Sequence, residues 1–148
     1  MANDKRIDPY RTFNFRVYIN NQQAGSFAEA GGLTADGDSV EYREGEDPPY
    51  VRKLIGLRKY TNITLKRGYT QNLDLWNWYL NIQNGESDRR DVSVVLLNER
   101  REEVMRWHAE NAWINKIEGP EFKASANEVA MESVELVHEG LTVETGTA

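Results

Sequence analysis

Apolar side chains recur at every second position along much of this chain, the period of a strand with one face buried. In "RTFNFRVYIN" (11–20), Phe13, Phe15, Val17 and Ile19 point one way, and Thr12, Asn14, Arg16 and Tyr18 the other. "NNQQAG" carries turn residues, and "SFAEAGGL" follows as a second, shorter strand. "ADGD" predicts another turn before "SVEYRE" (39–44), a strand with Val40 and Tyr42 on one face. Alternation returns in "KYTNITLKRG" (59–68), where Thr61, Ile63 and Leu65 form the apolar face and Tyr60, Asn62, Thr64 and Lys66 the polar one. "VSVVLLN" (92–98) reads as a buried strand, and the charged turn "ERRE" (99–102) sends the chain back as a hairpin through "EVMRWHAENAWINKI" (103–117). There Met105, Trp107 and Ala109 alternate with Arg106, His108 and Glu110 until the phase blurs near Asn111, which predicts a bulge.

The period changes in "TQNLDLWNWYLNIQNG" (70–85), which predicts a helix over about residues 71–84. Thr70 or Asn72 can cap its start, and Gly85 supplies the left-handed position at its end. At about 100° per residue, Leu73, Leu75, Trp76, Tyr79, Leu80 and Ile82 cover one side, and Asp74, Asn77 and Asn81 the other. Trp78 falls among the polar residues, either lying flat at the helix edge or anchoring a partner. "EGPEFKASAN" is loop, and "EVAMESVELVHEGL" (128–141) fits two descriptions. Val129 and Met131 alternate, then Val134 and Leu136 in the opposite phase, while Ala130, Val134, Val137 and Leu141 also fit a helix. The chain shows no internal repeat, low-complexity tract or linker. The expectation is a single domain over 1–148, mostly β, with six or seven strands in a sandwich or barrel and one flanking helix.

One stretch follows neither period. "EDPPYVRKLIGLRKY" (46–60) opens on two prolines and alternates Arg52, Lys53, Arg58 and Lys59 with Leu54, Ile55 and Leu57. The net charge of −6 over 148 residues conceals it: 50–70 carry six cations and no acid, whereas 71–148 carry seven cations and fifteen acids. A basic segment on an acidic body is either a solvated loop or a surface that meets another copy's body. No apolar run approaches the ~20 residues that span a bilayer, so no membrane anchoring is expected. The N-terminus "MANDKRIDPYRTF" lacks the apolar stretch of a secretory signal, and the chain is expected to be made in the cytoplasm.

Candidate chemistry is sparse. Cysteine is absent, which excludes disulfide and thiolate chemistry. No Gly-rich phosphate loop, H-E-x-x-H or G-x-S-x-G occurs, so neither an enzyme nor a cofactor is expected. His108 and His138 stand on predicted strands beside glutamates, as metal ligands or as ordinary surface-strand histidines. Specific nucleic-acid binding would set an acidic body of pI about 5.0 against a polyanion, and is not expected.

The blocks "YREGEDPPYVRKLIGLRKYTNITLKRG" (42–68), "LWNWYLNIQNG" and "WHAENAWINKIEGPEFKASANEVAMESVELVHEGL" (107–141) stand in an order of their own. From about Asp8 to Leu141 the chain resembles the inner tube proteins of contractile tails, found in phages, tailocins and extracellular contractile injection systems. The resemblance implies a β-barrel-like subunit that assembles into a hexameric β-barrel ring, with rings stacking into a hollow tube. It also implies that 128–138 is a strand. The inter-subunit or inter-ring loop would then comprise Pro48, Pro49, Tyr50, Arg52, Lys53, Leu54, Ile55, Leu57, Arg58 and Lys59, with acids of the Glu118–Glu144 region as partners. Asn62, Thr64 and Lys66 become candidates for the lumen lining, and Asp74, Asn77, Trp78 and Asn81 for sheath contact. The implied partners are further copies of the chain, a sheath protein, baseplate and terminator proteins, and cargo in the lumen. Two other readings remain: a ring-forming, effector-carrying tube protein of a type VI secretion system, and a monomeric β-barrel for a small ligand.

Overall fold

The computed structural model describes residues 9–11, 14–45, 49, 51–125 and 127–146, so Thr12, Phe13, Pro48 and Tyr50 lie outside the described residues. β1 (Phe15–Ile19) turns into a two-residue β2 (Gln22–Gln23), and β3 (Glu29–Gly31) follows. Both turn residues, Asn20 and Asn21, have positive φ (52° and 64°), which is the type I′ geometry that matches strand twist. Gln22 and Gln23 therefore pair with β1, although turn residues were expected there. β4 (Ala35–Tyr42) absorbs the expected "ADGD" turn as strand with a bulge between Gly37 and Ser39. β5 (Arg52–Tyr60) then replaces the expected loop, and β6 (Ile63–Gly68) begins after a break at Thr61 and Asn62. The predicted 59–68 strand is thus two strands, and Thr61 is exposed rather than packed inward.

β7 (Arg90–Leu97) and β8 (Glu103–Glu118) form the predicted hairpin. Val92 faces Ala109 while Arg90 faces Ala112, so β8 holds an extra residue where Asn111 adopts φ 52°. This is the expected bulge. The front of β8 lies between β7 and β10 (Gly140–Thr145), whereas its end, Trp113–Glu118, pairs with β9 (Met131–Val137). The eight-stranded sheet runs β2-β1-β7-β8-β9-β6-β3, with β10 beside β8. β9 settles the ambiguous segment as strand, burying Glu132, Val134 and Leu136 in one phase and leaving Val129 outside. β10 has no counterpart in the sequence reading.

Inner faces from both halves of this folded sheet meet in one core containing Val17, Val92, Ala112 and Ile114 from one side and Ile63, Leu65, Val134 and Leu136 from the other. Helix α1 (Asp74–Gln83) adds Leu75 and Trp78 to that core. Its inward stripe is Leu75, Trp78, Tyr79 and Ile82, the i, i+3, i+4, i+7 spacing of a helix face. Trp78 is therefore core, its indole N–H donating to the Asp88 carbonyl at 2.7 Å, while Leu73 and Trp76 are exposed. Leu73 occupies the N-cap without a side-chain bond; Thr70 and Asn72 instead accept from the backbone N–H groups of Asn72 and Asp74 in the turn before it. The other end is a Schellman cap: the N–H of Gly85 (φ 92°) donates to Ile82 at 3.1 Å and that of Glu86 to Asn81 at 3.0 Å.

Arg67 fastens helix to sheet from a buried position. It donates to Glu132 at 3.2 Å and to Asp74 at 2.5 Å, with further bonds to the carbonyls of Ala24 and Asn72. Burial opposes its charge most strongly, yet Asp74 and then Glu132 outweigh that and hold its pKa above the ordinary value.

Candidate assembly interface

β4 and β5 form a two-stranded ribbon separate from the main sheet. Nearly every residue of both strands is exposed, with only Gly37, Tyr42 and Gly56 partly covered. Pairing with β4 puts Lys53, Ile55, Arg58 and Tyr60 on one face and Arg52, Leu54 and Lys59 on the other, with Gly56 and Leu57 together opposite Asp38 in a bulge. Val40 stands opposite Leu54. Both faces thus carry apolar side chains in water, and Ile55 and Leu57 are 87% and 79% exposed. An isolated two-stranded hairpin is marginal in water and needs a packing surface. Pro49 precedes β5 as an exposed bend.

The ribbon is tight along its length and anchored at its root. Arg58 donates to the Asp38 carbonyl at 3.0 Å, and Lys59 lies 3.4 Å from the Asp38 carboxylate. Gly56 is required in the bulge, because a Cβ there would sit 2.7 Å from the Asp38 carbonyl oxygen. At the root, the Thr61 hydroxyl donates to Gly32 at 3.2 Å. His138, buried rather than on a surface strand, places Nε2 3.1 Å from the Thr61 carbonyl and Nδ1 3.2 Å from that of Gly140. It secures the arm's base to the end of β9. His108 instead pairs its Nδ1 with the Ser93 hydroxyl at 2.7 Å. Among the described residues no three His, Cys, Asp or Glu side chains gather as metal ligands.

Thr64 and Lys66 lie on the face of β6 that points away from the core, as the alternation predicts, and Asn62 stands just before the strand. Asn62 donates to Glu135 at 2.7 Å, and Lys66 lies 3.6 Å from Glu29. The four helix residues separate. Trp78 is buried and cannot touch a sheath, and Asp74 and Asn81 bond internally to Arg67 and Asp88. Asn77 is exposed, beside the exposed Trp76. The Asp88 carboxylate lies below its usual pKa because of its hydrogen bonds from Arg90, against an opposing effect of burial; Asn81 assists.

A bent β-sheet with a packed interior, one capping helix and a long ribbon greasy on both faces defines a class: a subunit shaped for contact with other chains. The particular family follows from comparison. The family model of the T4-like virus tail tube protein gp19 matches residues 11–142, and the chain belongs to that family. It is 28% identical to a chain in the structure of the anti-feeding prophage cap (AFP tube terminating cap), with a TM-score of 0.89 over 98% of this chain and 97% of that one. It is 27% identical to a chain of the PVC extracellular contractile injection system sheath-tube complex in its extended state, with a TM-score of 0.84 over 93% and 92%. Hcp1 from Flavobacterium johnsoniae, at 13% identity and TM-score 0.56 over 89% and 95%, shares the fold alone. No curated protein sequence matches the chain.

Proposed function

We propose that this protein is a structural, non-enzymatic subunit of the rigid inner tube of a contractile injection machine. Six copies close a ring, and rings stack into a hollow conduit that sheath contraction drives through a target envelope. The observation that carries this reading is the near-complete likeness to the PVC sheath-tube structure at 27% identity. The β4–β5 arm supplies the physical reason for assembly. Burying Leu54, Ile55 and Leu57 on a neighbour contributes on the order of 5 kcal/mol at ~1.5–3 kcal/mol for each fully covered side chain, before ordering costs. The arm's cations orient that contact against an acidic body, and the heterologous geometry lets stacking continue without closure.

Asn62, Thr64 and Lys66, with Glu29 and Glu135, would give a hydrated lumen of mixed charge along which cargo slides. Asn77 and Trp76 would form a small sheath contact, weak enough to release on contraction. Baseplate and terminator proteins would complete the two ends, and the chain would be made in the cytoplasm. The fold shared with Hcp1 favours a second reading, a type VI ring protein, on a much lower identity. Converting both Arg52 and Lys53 to glutamate tests the main reading. The variant is expected to fold with an unchanged melting temperature and to form no tubes by negative-stain electron microscopy. Tubes of normal length from this variant would refute it.

A further inference from the structure

The end of α1 holds the one Asn-Gly pair in the sequence, Asn84–Gly85, and both residues are exposed. Asparagine is a chemically labile residue, most of all before glycine, whose amide no side chain shields. The Gly85 nitrogen gives up its proton and attacks the carbonyl carbon of the Asn84 side chain, and ammonia leaves. The five-membered succinimide that results takes up one water, which opens it to aspartate or to isoaspartate. The balance is asparagine plus water to an acidic residue plus ammonia, with no change of oxidation state.

The helix cap opposes this step twice. Attack needs the Gly85 nitrogen rotated toward the Asn84 side chain. The ψ of Asn84 is 6°, which eclipses that nitrogen with the residue's own amide nitrogen and turns it away from the side chain. The attacking group is also committed, since the Gly85 N–H donates to the Ile82 carbonyl at 3.1 Å. The Glu86 N–H donates to Asn81 at 3.0 Å and the Asn84 N–H to Leu80 at 2.9 Å, so ψ turns only when the cap breaks as a unit. Helix ends open more readily than cores, which makes the cap a gate.

The product makes that opening permanent. An aspartate there sets a carboxylate at the negative end of the helix dipole, where the last turn carries no cation and Glu86 and Asp88 follow. An isoaspartate adds a methylene to the main chain, and the hydrogen-bonded rings of the cap no longer close. The same connection carries Asp88, whose carbonyl accepts from Trp78 at 2.7 Å and whose carboxylate accepts from Asn81 and Arg90 at 2.9 Å each. A cap that stays open therefore loosens the strap that holds Trp78 in the core.

We propose that Asn84 is a covalent modification site gated by the helix cap: it deamidates when the last turn of α1 opens, and the product keeps that turn open. The reaction needs no second copy, so it runs in the isolated subunit and is independent of the tube reading.

The test holds the full chain at neutral pH, folded in one sample and unfolded in urea in another, and follows every asparagine by peptide mapping with mass-spectrometric sequencing. In urea, Asn84 is expected to convert at least tenfold faster than any other asparagine and at least tenfold faster than in the folded chain. Hydrogen exchange on the modified chain, returned to native buffer, is expected to show the Gly85 and Glu86 amides without protection. Equal rates in the folded and unfolded chain would overturn the gate. Conversion in urea no faster than at other asparagines would overturn the site itself. Full protection of both amides after modification would overturn the permanence of the opening.

Discussion

Two tryptophans two positions apart show how little residue type alone decides. Trp78 fills the core and spends its N–H on the Asp88 carbonyl, whereas Trp76 lies 42% exposed on the same helix. Substituting Trp78→Ala is expected to cost about 3–5 kcal/mol of folding stability, the range for removing a large buried aromatic. Trp76→Ala is expected to change stability by about 0.5 kcal/mol or less, as at other surface sites. Urea unfolding followed by far-ultraviolet circular dichroism checks both, and equal losses would contradict the assignment. The residue spacing marks Leu75, Tyr79 and Ile82 of the inward stripe but places Trp78 among the polar residues. The stripe was obscured because Leu73, Trp76 and Leu80 offer a competing apolar arc. Arg67 and Glu132 were not legible as buried: they lie in the strands' inward phase, but only their mutual pairing and Asp74 make charge tolerable there. His138 was likewise invisible as a latch, since its partners are backbone carbonyls seventy-seven and two residues away.

Among the elements, the hairpin β7–β8, its bulge at Asn111 and the helix with its Gly85 stop were all readable. Each has a one-sided burial pattern or a turn residue with a specific backbone need. β5 was not readable for a physical reason. Period-two patterning reports a strand with one face in the core, and the arm has neither face there. Its apolar residues fall on both faces, so alternation vanishes and the stretch reads as a greasy loop. β10 was missed because "GLTVET" is mostly exposed and gains order from pairing with β8 rather than from burial. The arm's own integrity depends on Gly56. Gly56→Val places a side chain against the Asp38 carbonyl and should open the ribbon at its bulge while leaving the core intact. Hydrogen exchange is expected to show amides of 52–58 losing protection while those of β7 and β8 keep theirs. Unchanged protection across the arm would show that the close approach at Gly56 is dispensable.

For the molecule as a whole, the interior closes on itself and the arm does not. The core residues of both sheet halves and the helix satisfy one another, whereas the ribbon holds Leu54, Ile55 and Leu57 in water on a scaffold too thin to stand alone. Under the proposed function, contact with further copies accounts for that imbalance. Charge distribution agrees, with a basic projection on an acidic body. Cryo-electron microscopy of the purified full chain at high concentration tests the central claim most directly. The account predicts hollow tubes of stacked rings in which every β4–β5 arm is ordered against another copy. A population of single 17.0 kDa subunits at every concentration, with arms touching no neighbour, would contradict it.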